Sequence, residues 1–526
     1  MNLLSDCWIP VRRKSGKKER IAPWQITNQD DPIISIAAPR PDFNGALMEF
    51  LIGLLQTTVA PQSHNEWADW LEEPPTPEIL QDKFATFSDV FILNGANTCF
   101  MQDSENFEGE DKPINALLID SPGAKALKDN TDHFVKRGKV GAVCPACAAT
   151  ALFTLQTYAS GGGVGHRTSL RGGGPLTTLV VLDPQGSELE LNLWRDLWLN
   201  VLDIPRFNGF YGQSDKGKLD DIFPWLAATR TSEPKTGRDT TIEDVNPLQM
   251  YWGMPRRIRI NWQDTKAGHC DLCGFKTETL ITKYVTRNYG INYTGVWQHP
   301  LSPHYIDKKT GEPMPVHAQP GGLSYRHWLG WAMGTETVKS AKVVDAYHGR
   351  KLANEQLRLS VSGYDMDNMK ARCWYETLFP IFLIEEPLRK EFTKRVQLLL
   401  DSAAQVAGFV QTCIKESWFK RPGDARGDTM FLKEAFFHHT EQHFYKTLEQ
   451  LLDALRTGSD SDVLKSWHSF LNSAAMGLFD YWAARSDVAI GDPRRIANAH
   501  QKLKNLLYGK KFLASLGINY KKEKVA

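Results

Sequence analysis

Residues 385–410 read EEPLRKEFTKRVQLLLDSAAQVAGFV, and their period decides the fold of the carboxyl-terminal part of the chain. Pro387 suits a first helical turn, where its missing N–H costs nothing, and Glu385 and Glu386 complement the positive end of a helix dipole. Leu388, Phe392, Val396, Leu399, Val406 and Val410 then follow at helical spacing. Three later stretches behave alike: 428–456 (Phe431, Leu432, Phe436, Phe444, Leu448, Leu452, Leu455), 461–485 (Leu464, Trp467, Leu471, Leu478, Trp482) and 493–516 (Ile496, Leu503, Leu506, Leu507, Leu513). Four amphipathic helices with short Gly- and Pro-containing joints predict a four-helix bundle over 381–526.

Upstream the texture changes. Residues 1–380 mix short strand-like runs (Phe91 to Leu93, Leu176 to Leu182, Arg257 to Trp262) with short helical patterns and many Gly and Pro breaks. That is an irregular mixed domain, so the expected class is α+β with an appended bundle. One clear helix is expected after Asn44, taken as its N-cap, with apolar Leu47, Phe50, Leu51, Leu54 and Leu55 ahead of Pro61. Polar stretches at 103–114, 124–139 and 213–246 read as long loops.

The chain has 526 residues, too many for one core, and its 42% hydrophobic and 23% charged content is ordinary for a globular protein. No apolar stretch approaches the roughly 20 residues that span a bilayer, and the start MNLLSDCWIPVRR lacks a secretory leader, so a cytoplasmic protein without a membrane partner is expected. Lys+Arg 62 against Asp+Glu 61 removes any bulk argument for a polyanion partner. Locally the balance fails. From 494 to 526, Arg494, Arg495, Lys502, Lys504, Lys510, Lys511, Lys521, Lys522 and Lys524 face one acid, Glu523. A second cluster, Arg12, Arg13, Lys14, Lys17, Lys18 and Arg20, surrounds a turn expected at Ser15-Gly16. Each is either a solvated face or a polyanion surface.

Four of the eight cysteines form two CxxC pairs, Cys144-Pro-Ala-Cys147 and Cys270-Asp-Leu-Cys273. Each CxxC turn can aim two sulfurs at one cation at about 2.3 Å, and two turns complete a tetrahedral shell that fits a structural zinc ion (Zn2+). Such a metal would tie distant segments together. Two unrelated pairs, a redox CxxC or, with no other support in the sequence, an iron–sulfur cluster are the alternatives. Cys7, Cys99, Cys373 and Cys413 read as buried fillers.

Signatures of catalysis are sparse. His439-Thr440-Glu441-Gln442-His443 puts two imidazoles one helical turn apart, but a zinc protease needs Glu where Thr440 stands. There is no GxSxG elbow and no GxxxxGK[ST] phosphate loop. The run Ser160 to Pro175, SGGGVGHRTSLRGGGP, offers a backbone able to approach a ligand closely, although its spacing is no nucleotide fingerprint. A flexible linker is the competing reading, set against by Arg167, Leu170 and Arg171 and by the strand-like run that follows.

Taken in order, MNLLSDCWIPV, CPAC with AATALFTLQ, GGGVGHRTSLRGGGPLTT, CDLCG, GVWQHPLSP (295–303) and the helical carboxyl end resemble the CasA family. These are the large subunits of Cascade, the type I-E CRISPR surveillance complex. The resemblance covers essentially the whole chain.

It implies a non-catalytic subunit of an RNA-guided complex, in which the guide pairs with the target and protein reads a short adjacent duplex motif, the PAM. The family's glycine loop, inserted into the minor groove, matches Gly161, Gly162, Gly163, Val164 and Gly165. A side-chain-poor backbone suits a groove about 6 Å wide with a degenerate pattern. The family's groove-facing basic residue falls at Asn288, beside Arg287, which is a departure. Its wedge falls at Asn368 and Met369, behind Gly363-Tyr364. Its guide-RNA-facing loop matches 130–143, with Phe134, Lys136 and Arg137. Implied partners are the guide crRNA, target double-stranded DNA, the other Cascade subunits and a separate helicase-nuclease. On the residues alone, a zinc-dependent nuclease or hydrolase centred on His439 and His443 or on the CxxC pairs stays open, as does a helical adaptor.

Overall fold

Proline presets the φ of a helical first turn, and Pro41 uses this to open the helix Pro41–Thr58, the pillar of the amino-terminal part. The computed structural model describes all residues except 97, 106, 131–136, 188, 351, 353–355, 368, 425–426, 460–461, 484–491 and 519–526. The helix therefore starts ahead of the expected cap: Asn44 lies inside it, and its side-chain oxygen accepts the amide of Ala38 in the incoming segment (2.8 Å). Fully buried Phe50 meets Trp8, Phe100, Phe153 and Trp252 edge-on, at ring-centre distances of 5.4, 5.9, 5.6 and 5.8 Å. Edge-to-face pairs of this kind each add about 0.5–1.5 kcal/mol to simple burial. Phe153 belongs to the helix Pro145–Tyr158, which packs on the pillar.

The described strands form six sheets of only two or three strands, the structural content of an irregular α+β domain. Leu357–Asp367 lies between Thr177–Leu182 and Lys370–Pro380, antiparallel to both. Lys283–Arg287 lies between Glu110–Pro113 and Arg257–Ile260. Lys266–His269 and Lys276–Leu280 make a separate hairpin. The expected strand at Phe91 to Leu93 is instead the end of a 3-10 turn, Ser88–Phe91, followed by one isolated bridge at Ile92. Phe91 and Leu93 are buried with Ile92 half-buried between them, so the alternation of a strand is present, but Ile92 finds only the single bridge to Asn2 and no ladder forms. The expected loops also carry short elements, including Glu110–Pro113, Ala124–Lys128 and Leu219–Ile222.

The chain divides into two compact units, Met1–Gln319 with Glu336–Ile381, and Pro320–Thr335 with Phe382–Ala526. The second unit thus takes in a segment from the middle of the chain as well as the carboxyl-terminal helices. Its helices are Glu386–Trp418, Phe431–Thr457, Val463–Ala483 and Pro493–Leu507, followed by the short Lys510–Ser515. The expected single helix over 493–516 is thus broken at Gly509, because Tyr508 leaves helical geometry. In the bundle interior Trp467 donates its indole N–H to Ser402 Oγ (3.0 Å), while Tyr325 stacks on Phe444 (4.4 Å) and shares a hydrogen bond with Thr440 (2.8 Å). Among the described residues no helix is long and apolar enough to cross a membrane.

Candidate nucleic-acid interface and metal centre

Cys144 caps the helix Pro145–Tyr158 and Cys147 lies in its first turn, so the first CxxC is built on a helix start. The second sits at the tip of the Lys266–His269/Lys276–Leu280 hairpin, turned by Gly274 at φ +72°. Asp271 joins the two by accepting the amides of Gly141 (2.7 Å) and Ala142 (2.8 Å), and its own amide returns to the Ala142 carbonyl (3.0 Å). All four sulfurs lie within 4.8 Å of one another, and Cys144 Sγ is 3.7 Å from Cys273 Sγ. A tetrahedron with bonds of about 2.3 Å has edges of about 3.8 Å, so the donor set fits zinc. Four sulfur donors close the shell and leave no position for a reacting water, as in structural centres. The hydrogen bond with Cys147 draws the Cys144 thiol down from its usual range, and the same contact pushes Cys147 up.

The glycine run leaves the far end of the same helix. Its second triplet serves packing: a Cβ on Gly173 would lie 2.7 Å from Ser160 Cα, and one on Gly174 would lie 2.7 Å from the Tyr364 carbonyl. The first triplet is different. Gly163, at φ +64°, faces open space, and Val164 is 72% exposed. Ser169 donates its amide to the Ala159 carbonyl (2.9 Å), closing the base of the loop, and half-buried Arg256 donates to the Ser160 carbonyl. The linker reading is therefore excluded by a pinned base. Burial lowers Arg256 to about 10, and burial with the neighbouring Arg256 charge lowers His166.

Two further loops meet this one. The Tyr289 amide donates to the Gly165 carbonyl at 2.7 Å, and a Cβ on Gly165 would lie 2.8 Å from the Tyr289 ring and 3.0 Å from Asn288 Cβ. Ser160 Oγ donates to the Met369 carbonyl (2.9 Å), and Met369 Sδ is 3.9 Å from the Cβ position of Gly161. Met369 immediately precedes Lys370, which pairs with Asp367, and is 60% exposed at φ +71°. Gly161–Gly165, Asn288 and Met369 thus form one cluster. Arg287 is exposed at its edge, with Glu233 at 3.6 Å offsetting its charge. Asn368, Phe134 and Lys136 lie outside the described residues.

The profile of the CRISPR-associated protein Cse1 family matches residues 2–478. The chain belongs to the Cse1 family. Solved structures with the same fold include Thermobifida fusca Cse1, at 15% identity, covering 98% of this chain and 97% of that one with a TM-score of 0.69. Thermus thermophilus CasA matches at 17% identity over 96% of this chain and 99% of that one, with a TM-score of 0.66. A chain of a CRISPR RNA-guided surveillance complex matches at 13% identity over 97% and 99%, with a TM-score of 0.62.

In this Cse1-family chain, sequence reasoning missed Tyr289, Arg256 and Ser160, which hold the loop cluster together. Only Asn288-Tyr289-Gly290, turn-prone residues after a strand, signalled the bend there. Arg171 is no ligand contact: it is buried in an ion pair with Glu49 and donates to Thr177 (3.1 Å) and Ser302 (3.0 Å). In the amino-terminal basic cluster only Arg13 is buried, paired with Glu19, while Arg12, Lys14, Lys17 and Lys18 are exposed, two of them in surface pairs, Lys14 with Glu190 (2.6 Å) and Lys17 with Glu19 (2.6 Å). Cys7 is exposed rather than a buried filler. His439 is exposed while His443 stacks on Phe470 (3.7 Å), and among the described residues only the four cysteines form a metal-holding group. In the carboxyl-terminal cluster Arg494, Lys504, Lys510 and Lys511 are exposed, whereas Arg495 donates to the Ser417 carbonyl (2.9 Å) and Lys502 pairs with Glu416 (2.5 Å).

Proposed function

We propose that this Cse1-family chain is the DNA-recognising subunit of a type I-E, crRNA-guided surveillance complex. In this reading Gly161–Gly165 enters the minor groove beside the target and reads the PAM. Asn288, with its amide, and Arg287 face the same groove, and Asn368 and Met369 wedge the adjoining base step apart. Zinc held by Cys144, Cys147, Cys270 and Cys273 fixes the start of the helix whose other end carries the glycine loop. The basic bundle face follows the DNA backbone, loop 130–143 faces the guide, and cleavage belongs to a separate helicase-nuclease recruited to the large domain. The protein works in the cytoplasm, where target DNA arrives.

One observation carries the reading: three loops far apart in sequence converge on a small surface whose centre is bare backbone and whose edge is an exposed Met. Bare amides and carbonyls can approach a groove floor closely, and an apolar side chain can replace a stacked base at a cost of a few kcal/mol.

Gly163→Asp tests it. Asp tolerates positive φ, so the loop keeps its path while a carboxylate enters the groove. Target-duplex binding should be lost with the guide complex still assembled; unchanged binding would contradict the proposal.

A further inference from the structure

The geometry points to Arg20 as the outer cation of the four-sulfur centre, a positioning residue that balances its charge and shields it on one side. This rests on reading the four cysteines as a zinc site. Arg20 lies on the strand Lys18–Ile21, far in sequence from both CxxC pairs. Its Nη2 donates to Cys273 Sγ at 3.1 Å and to Cys144 Sγ at 3.4 Å, one sulfur from each pair. The guanidinium carbon stands 3.9 Å from the ring centre of Phe275, which follows the second pair by two residues. Among the described residues Arg20 makes no ion pair with a carboxylate, so the sulfurs are its counter-charge.

Four thiolates around a divalent ion leave a net double negative charge, which a nearby cation stabilises through charge-assisted N–H···S bonds. A planar guanidinium lays its face on a ring while its in-plane N–H groups reach the sulfurs, a preorganised geometry that a flexible ammonium lacks. A cavity of about 780 Å³ opens alongside, bounded by Cys7, Phe43, Arg20, Cys147, Cys273 and Phe275. It offers solutes a route to the sulfurs, and Arg20 with Phe275 stands on that route. The amino-terminal sheet is thereby coupled to metal retention.

The experiment uses the full-length, zinc-loaded protein. Zinc release to a chromogenic chelator and iodoacetamide labelling of the four cysteines are followed for wild type, Arg20→Gln, Arg20→Lys and Phe275→Ala. Outer-sphere partners typically change metal affinity about 10–100-fold, so Arg20→Gln should release zinc at least about tenfold faster and label faster. Arg20→Lys should fall between, and Phe275→Ala should shift in the same direction. Release from Arg20→Gln at the wild-type rate would overturn the role of Arg20 while leaving the zinc centre intact. If that variant does not fold, unchanged release from Phe275→Ala overturns it instead. A wild-type chain that takes up no zinc would refute the centre itself, and the role of Arg20 with it.

Discussion

Tyr289 holds Gly165 by a 2.7 Å bond from its amide to the glycine carbonyl, with its ring filling the space a Cβ would need. Both residues have positive φ, +62° and +75°. The glycine loop is therefore clamped at one side, with its free tip two residues away at Gly163.

That clamp separates two glycines by their role. Gly165→Ala must absorb left-handed backbone strain and a clash with Tyr289, together roughly 2–4 kcal/mol, read as a lowered midpoint in denaturant. Gly163→Asn meets no neighbour and keeps its backbone at a cost within about 1 kcal/mol. Equal destabilisation by both would show that the tip is packed rather than free.

Met369 stores strain where the wedge is proposed. A non-glycine residue at φ +71° costs about 1–2 kcal/mol, so Met369→Gly should leave stability within about 1 kcal/mol of wild type. It should nonetheless slow duplex opening several-fold, followed by 2-aminopurine fluorescence at the base step beside the PAM. Opening at the wild-type rate would remove the side chain from the wedge.

The basic face of the bundle should act without regard to sequence. Lys510→Glu or Lys511→Glu, both exposed, should weaken binding to all targets and lower the slope of log K against log salt by about 0.9 for each phosphate no longer neutralised. A loss confined to one PAM would contradict this.

Two buried histidines give the fold an acid limit. Leu301 donates its amide to His299 Nδ1 at 3.2 Å, which requires a neutral ring, and burial holds His299 well below its usual range. Burial likewise lowers His304 from 6.5 to about 4. The unfolded chain therefore binds more protons than the native one between these values, and stability must fall as pH drops from about 6.5 towards 4. Each site contributes up to about 1.4 kcal/mol per pH unit inside that window, measurable by denaturant titration. His304→Gln should flatten the curve there; an unaltered slope would show that other groups set it.

The bundle was legible because Leu388, Phe392, Val396 and Leu399 repeat with the helical period, a local signal that packing only reinforces. The metal centre was legible because CxxC fixes the geometry of each half by itself. Asn44, which serves the preceding segment rather than a cap, depends on a partner outside its helix and left a weaker trace, whereas the break at Gly509 is local and was masked by the apolar period that continues across it. The role of Tyr289 was not legible at all. Its value lies in a close approach to Gly165, made by a loop more than a hundred residues away, and no periodicity encodes such a contact.

In the proposed assembly the tip of the glycine loop lies in a minor groove beside the target, and every other role assigned to the loop cluster depends on that placement. Benzoylphenylalanine placed at position 164, next to the free tip, tests this in the assembled, target-bound complex. Irradiation should join the chain to minor-groove sugars of the duplex flanking the target, and a minor-groove ligand such as distamycin should suppress the adduct. Adducts found only on guide RNA or protein, or no adduct with target fully bound, would contradict the placement.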